Sequence, residues 1–114
     1  MSQKNNPLRL NNLQLKTLTL LQQLAVFQKS SELNRDDEVT IDGLPQPHGN
    51  HFHIGDKLVM SKNATGLFNP SVWKALERKG LVYGRFPMTV TLTSKGLSYE
   101  TQMTDKILFS SDHS

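Results

Sequence analysis

The chain has 114 residues, a formal net charge of +3 and no cysteine. That length suits one domain and is too short for two ordinary ones, and the missing thiols exclude disulfides, thiolate zinc sites and cysteine nucleophiles. No apolar run approaches the roughly 18 residues a membrane span needs, and residues 1–7 are polar, without the apolar core of a signal peptide. A soluble, cytoplasmic protein with no membrane contact is expected.

Residues 1–11, with Lys4 and Arg9 among Asn and Gln, read as a flexible arm. Asn12 then stands as the cap of an amphipathic helix of about four turns over residues 13–27. Leu10, Leu13, Thr17, Leu20, Leu21, Leu24 and Phe27 share one stripe at 100° per residue. Leu15, Leu18, Ala25 and Val26 lie off it, so the helix is apolar on more than one face. A second subunit covering the excess is the expectation, which makes residues 12–28 the seam of a homodimer; deeper burial in the same chain is the competing explanation. Residues 30–38 form a charged link.

Residues 39–41 read as a short strand, Asp42 and Gly43 as a turn, and 44–50 as a loop with two prolines and a glycine. Residues 51–54 are expected to return as the partner of 39–41. Residues 56–64 wind as a helix in one reading and run as an extended Leu58–Val59–Met60 strand in another; periodicity leaves both open. Thr65 and Gly66 stop that element. Asn69 is a strong N-cap with Pro70 in the first helical position, and Gly80 closes the helix where a left-handed residue belongs. Val72, Trp73, Ala75 and Leu76 form its buried side. Two strands, 81–83 and 88–92, flank a turn at 84–87. Thr93 or Ser94 caps a last helix running toward Met103, and Ile107, Leu108 and Phe109 dock back onto the body. Residues 110–114 are expected to fray.

In order and spacing, residues 64–67, 69–76, 77–82 and 90–96 resemble the MarR-type winged-helix regulators. The family pattern runs from a Thr-Gly-Leu turn, through a helix ending in Lys-Gly-Leu-Val, to a strand closing on Leu-Thr-x-Lys-Gly. The resemblance covers roughly residues 54 to 100. It implies one domain over residues 12–109. The expected fold is α+β and mostly helical: a winged helix-turn-helix with a short two-stranded wing and a loop or hairpin insertion before the second helix. Two features depart from the family. The stretch 39–54 replaces a compact helical link, and the wing carries one arginine where several basic residues are usual.

A helix of this kind fits the major groove, which is about 12 Å wide. Ser71, Lys74 and Arg78 fall away from the Val72–Leu76 side, and by resemblance Ser71 and Lys74 match positions that face bases or phosphates. Lys62, Asn63 and Asn69 at the rim and Arg85 on the wing complete the expected contacts to double-stranded DNA, in a transcription regulator acting as a dimer. The alternative is a winged-helix protein-interaction module that never touches DNA; the modest charge and the short wing favour it. Trp73 is expected in the core, and Phe86 either covers the hairpin or meets a partner.

His48, His51 and His53 stand in H-x-x-H-x-H spacing with Asp56 behind, a pattern able to bind zinc or nickel. The set is short of ligands, so no metal site and no cofactor are expected. No phosphate-cradling glycine loop and no nucleophile turn occur. Neither catalytic residues nor a small-molecule substrate is expected, and the acidic run 36–38 is a solvated segment.

Overall fold

The computed structural model describes residues 6–28, 37–46 and 49–110. The arm before Asn6, most of the charged link, His48 and the tail after Ser110 lie outside these residues.

Helix α1 (Asn12–Gln28) forms where the apolar periodicity placed it. Its cap is Asn11 and not Asn12. The Asn11 side chain accepts from the Gln14 amide at 2.8 Å, and Gln14 Oε1 accepts from the Asn11 amide at 3.0 Å, a reciprocal capping box. Leu15, Leu18, Leu20, Leu21, Leu24 and Ala25 are all buried within the chain. The off-stripe residues Leu15, Leu18 and Ala25 are therefore covered by the chain's own sheet, turns and C-terminal segment, and only Val26 and Phe27 remain exposed. Thr17 and Thr19 are buried too. Each hydroxyl donates to the carbonyl four residues back at 2.8 Å, which satisfies it without a partner chain.

The strands form two antiparallel sheets. In the first, β1 (Val39–Asp42) pairs with β5 (Thr89–Leu92), which pairs with β4 (Val82–Arg85). In the second, β2 (His51–Ile54) pairs with β3 (Lys57–Met60), which pairs with the short β6 (Phe109–Ser110). One expectation fails here. Residues 51–54 pair with 57–60 and not with 39–41, because Gly55 and Asp56 make a two-residue hairpin turn with Gly55 at φ 62°. That turn also decides between the two readings of 56–64 in favour of the extended one. The run is strand β3, followed by two 3-10 turns, Ser61–Asn63 and Thr65–Phe68.

The mostly helical winged helix-turn-helix is thus corrected. Among the described residues there are four α-helices and two three-stranded sheets, and no α-helix lies between β3 and α2 (Pro70–Arg78) to complete a helix-turn-helix. The last helix, expected from residue 93 toward 103, ends early as α3 (Ser94–Ser98), and a separate α4 (Thr104–Ile107) follows beyond it. Of the three residues expected to dock, Ile107 and Leu108 are buried, whereas Phe109 is exposed on β6. No helix is long and apolar enough to cross a membrane among the described residues.

The stretch expected as a free arm is docked from Asn6 onward. Leu10 is 4% exposed, and the Leu8 amide donates to the Tyr99 hydroxyl at 3.1 Å. Tyr99 in turn donates to Asn6 Oδ1 at 2.6 Å.

Two local motifs fix the end of α2 against the start of α3. At the helix end the Gly80 amide bonds the Glu77 carbonyl and the Leu81 amide bonds the Leu76 carbonyl, with Gly80 at φ 79° and both leucines fully buried. This is the paired-bond glycine stop of helices. Thr93 then caps α3 by accepting from the Gly96 amide at 3.0 Å, while its hydroxyl donates to Gly80 O at 2.8 Å. A Cβ on Gly96 would lie 2.1 Å from the Leu81 carbonyl oxygen, so the two segments approach closely only because residue 96 has no side chain. Gly96→Ala should therefore lower stability by about 2–3 kcal/mol through forced backbone displacement. Ser94→Ala, at an exposed site on the same helix, should stay within about 0.5 kcal/mol of the parent. Urea unfolding curves separate the two.

Candidate nucleic-acid interface

Helix α2 begins as its sequence dictates. Asn69 is extended (φ −105°, ψ 109°) and its side chain accepts from the Ser71 amide at 2.9 Å, with Pro70 in the first turn. The helix then buries Val72, Trp73, Ala75 and Leu76 and exposes Pro70, Ser71, Lys74, Glu77 and Arg78. At 100° per residue the exposed set spans an arc of about 120° centred on Lys74. Ser71 and Arg78 lie on one side of Lys74, and Glu77 on the other.

Trp73 sets the orientation of that arc. Its Nε1 donates to the Leu67 carbonyl at 2.8 Å, tying α2 to the 3-10 turn before it. Its ring meets Phe86 edge to face, with centroids 4.6 Å apart, tying α2 to the β4–β5 hairpin. Trp73 is core, as its position in the pattern indicated, and Phe86 is the hairpin cover. Between helix and hairpin lies a shallow groove of about 170 Å³, lined by Pro70, Trp73, Lys74, Glu77, Tyr83 and Phe86 among others.

The expected contact residues divide into three groups. Ser71, Lys74 and Arg78 share the exposed arc of α2, and none of the three side chains is held by a hydrogen bond or ion pair to a described residue. Lys62 and Asn63 ride on the first 3-10 turn ahead of α2 instead of ending a helix; Lys62 is exposed and Asn63 half-buried. Asn69 spends its side-chain oxygen on the cap. Arg85 is exposed at the end of β4, on the outer face of the first sheet, where its cross-strand neighbour Thr89 separates it from Asp42. It does not line the groove beside Lys74.

Two features escaped the sequence reading. Lys79 follows the helix and would count as another free cation, yet its Nζ donates to the Leu8 carbonyl at 2.9 Å. Glu77 adds a negative edge to the arc. The first was not legible, because it depends on where residues 6–10 dock; the second follows from the helical period, which places Glu77 beside Lys74, and was overlooked. His51 and His53 point outward from β2 as alternation required, while among the described residues no three of His, Cys, Asp and Glu stand close enough to hold a metal.

The cap is the local interaction that starts α2 and is open to a simple test. Asn69→Ala should cost about 1 kcal/mol of stability and Asn69→Asp should restore most of it, read from denaturation midpoints.

Comparison with known proteins finds no match for this chain, whether to a family model, to a curated protein or to a solved structure.

Proposed function

We propose that this protein binds double-stranded DNA and acts as a cytoplasmic regulator of transcription, with α2 presenting Ser71, Lys74 and Arg78 to the major groove. The observation that carries the reading is the exposed arc of α2. A serine, a lysine and an arginine sit there together on a capped helix whose opposite side is fully committed to the core. An α-helix is about 10–12 Å across with its side chains, which matches a major groove about 12 Å wide. Lys62 supports the same side of the reading as a phosphate contact from the preceding turn, and the net charge of +3 favours a polyanion. Arg85 serves as a backbone contact on this view, reaching from the hairpin.

A second copy, if it joins along residues 12–28, meets α1 at Val26 and Phe27, the large apolar side chains of that helix left exposed.

A protein-interaction role is the second reading. Glu77 in the arc, with Tyr83, Phe86 and Met88 exposed on or beside the hairpin, is the observation in its favour. Such a surface is less purely cationic than a phosphate-binding one.

Fluorescence anisotropy with a mixed-sequence duplex across a salt series tests the choice. The parent should bind at low salt with a clear negative slope of log K against log salt. Lys74→Ala and Arg78→Ala combined should reduce that slope by about 2, one unit for each lost phosphate contact. Lys106→Ala, on α4, should leave it unchanged. Absence of binding at low salt, or a slope indifferent to the α2 pair, would remove the DNA reading and leave the protein-interaction one.

A further inference from the structure

The outer face of the second sheet carries a set of side chains that the α2 surface does not use. Along β2, Phe52 and Ile54 turn into the core and His51 and His53 turn outward. The register fixes what stands across from them. His51 pairs with Met60 and His53 with Leu58, whereas Phe52 pairs with the fully buried Val59. Directly opposed residues of antiparallel strands share a face. Two imidazoles from β2 and a thioether from β3 are therefore gathered on one side of a single hairpin. Lys57 alternates onto the other face with Val59, so no strand lysine opposes a cation there.

The spacing of the imidazoles suits a shared ion. Their ring centroids are 6.1 Å apart. With a metal–nitrogen bond of about 2 Å in line with each ring, two imidazoles on one ion stand at most about 6.4 Å apart. The observed distance falls inside that limit, toward a wide nitrogen–metal–nitrogen angle. Both histidines are exposed, and β2 is an edge strand of its sheet, so the rings can turn toward an ion without displacing a neighbouring strand.

The donor set selects the kind of metal. Two imidazole nitrogens with a thioether sulfur form a soft site, and thioether ligands favour monovalent copper over zinc, calcium or magnesium. Structural zinc asks for four nitrogen, sulfur-anion or oxygen ligands, and the described residues of this face offer two of those, His51 and His53. Monovalent copper is satisfied by two or three donors and tolerates the wide angle. We propose that His51, His53 and Met60 form a binding site for monovalent copper on the outer face of the β2–β3 hairpin.

The test is an anaerobic titration of the full chain with monovalent copper against a colorimetric chelator, with nickel run in parallel. One copper per chain should be retained against the chelator. His51→Asn combined with His53→Asn should weaken retention by about 100-fold or more, and Met60→Leu by about tenfold, on the scale that changes in a ligand shell produce. Nickel, held through imidazole alone, should be lost with the histidine pair and unaffected by Met60→Leu. Circular dichroism confirms that each variant remains folded, as expected for changes on an outer face. Copper retained by the double histidine variant would overturn the site, as would a native chain that holds no copper. Equal copper affinity in Met60→Leu would overturn the thioether's part and with it the assignment to monovalent copper.

Discussion

Leu18 and Leu20 have no exposed surface and Leu21 almost none, and the elements that hide them come from distant parts of the chain. Helix α1 is touched by β1 and β5 of the first sheet, by the 3-10 turns, by α2 and by α3. Each fully buried leucine is worth about 2–3 kcal/mol in removed apolar surface, so a helix with leucines on several faces stabilises only a fold that surrounds it. That requirement explains the architecture better than any single motif. The first sheet closes one side, the turn and α2 a second, and the segment after β5 a third. Gly66 lets the turn come in close, since a Cβ there would sit 2.0 Å from Thr17 Oγ1. The cationic side of α2 faces out because its other side is needed to cover α1.

How legible each part was follows from how local its cause is. The caps at Asn69 and Thr93, the glycine stop at Gly80 and the turn between β4 and β5 each depend on residues within one helical or hairpin turn, and all could be read directly. The division of α2 into a buried and an exposed side followed from its period, which is why Ser71, Lys74 and Arg78 were found together. Strand pairing was another matter. Val39 and Ile41 lie opposite Leu92 and Val90, a pairing no local signal announces. Residues 56–64 stayed undecided where helix and strand patterns overlap; the deciding signal was the Gly55–Asp56 turn, which makes Leu58, Val59 and Met60 the returning strand of a hairpin. The apolar excess on α1 was seen but left between a second subunit and deeper burial in the same chain, because the sequence does not reveal how many elements of the same chain converge on one helix.

Two surfaces with different chemistry emerge from the two sheets. The β4–β5 hairpin stands beside α2 and shapes a groove with a lysine on its wall and a glutamate next to it, an arrangement in which charge pattern matters more than total charge. The β2–β3 hairpin bears imidazole and thioether groups on its outward face and carries no residue of the α2 arc. The 3-10 turn that begins at Ser61 connects the second hairpin to the approach of α2, and it is the shortest covalent route between them.

The corner formed by Asn6, Leu8, Lys79 and Tyr99 bears on the order in which the chain assembles. Asn6 and Leu8 are separated from Tyr99 by 93 and 91 positions, and Leu8 from Lys79 by 71, so these contacts close long loops. Loop closure of that span carries an entropic cost that local hairpins and helix caps avoid. The strand turns and α2 can form early on local cues, whereas this latch joins the beginning of the chain to its later part only once the rest is in place. Proteolytic nicking between Leu8 and Leu10 would therefore be felt at the end of α2, on the far side of the sequence from the cut.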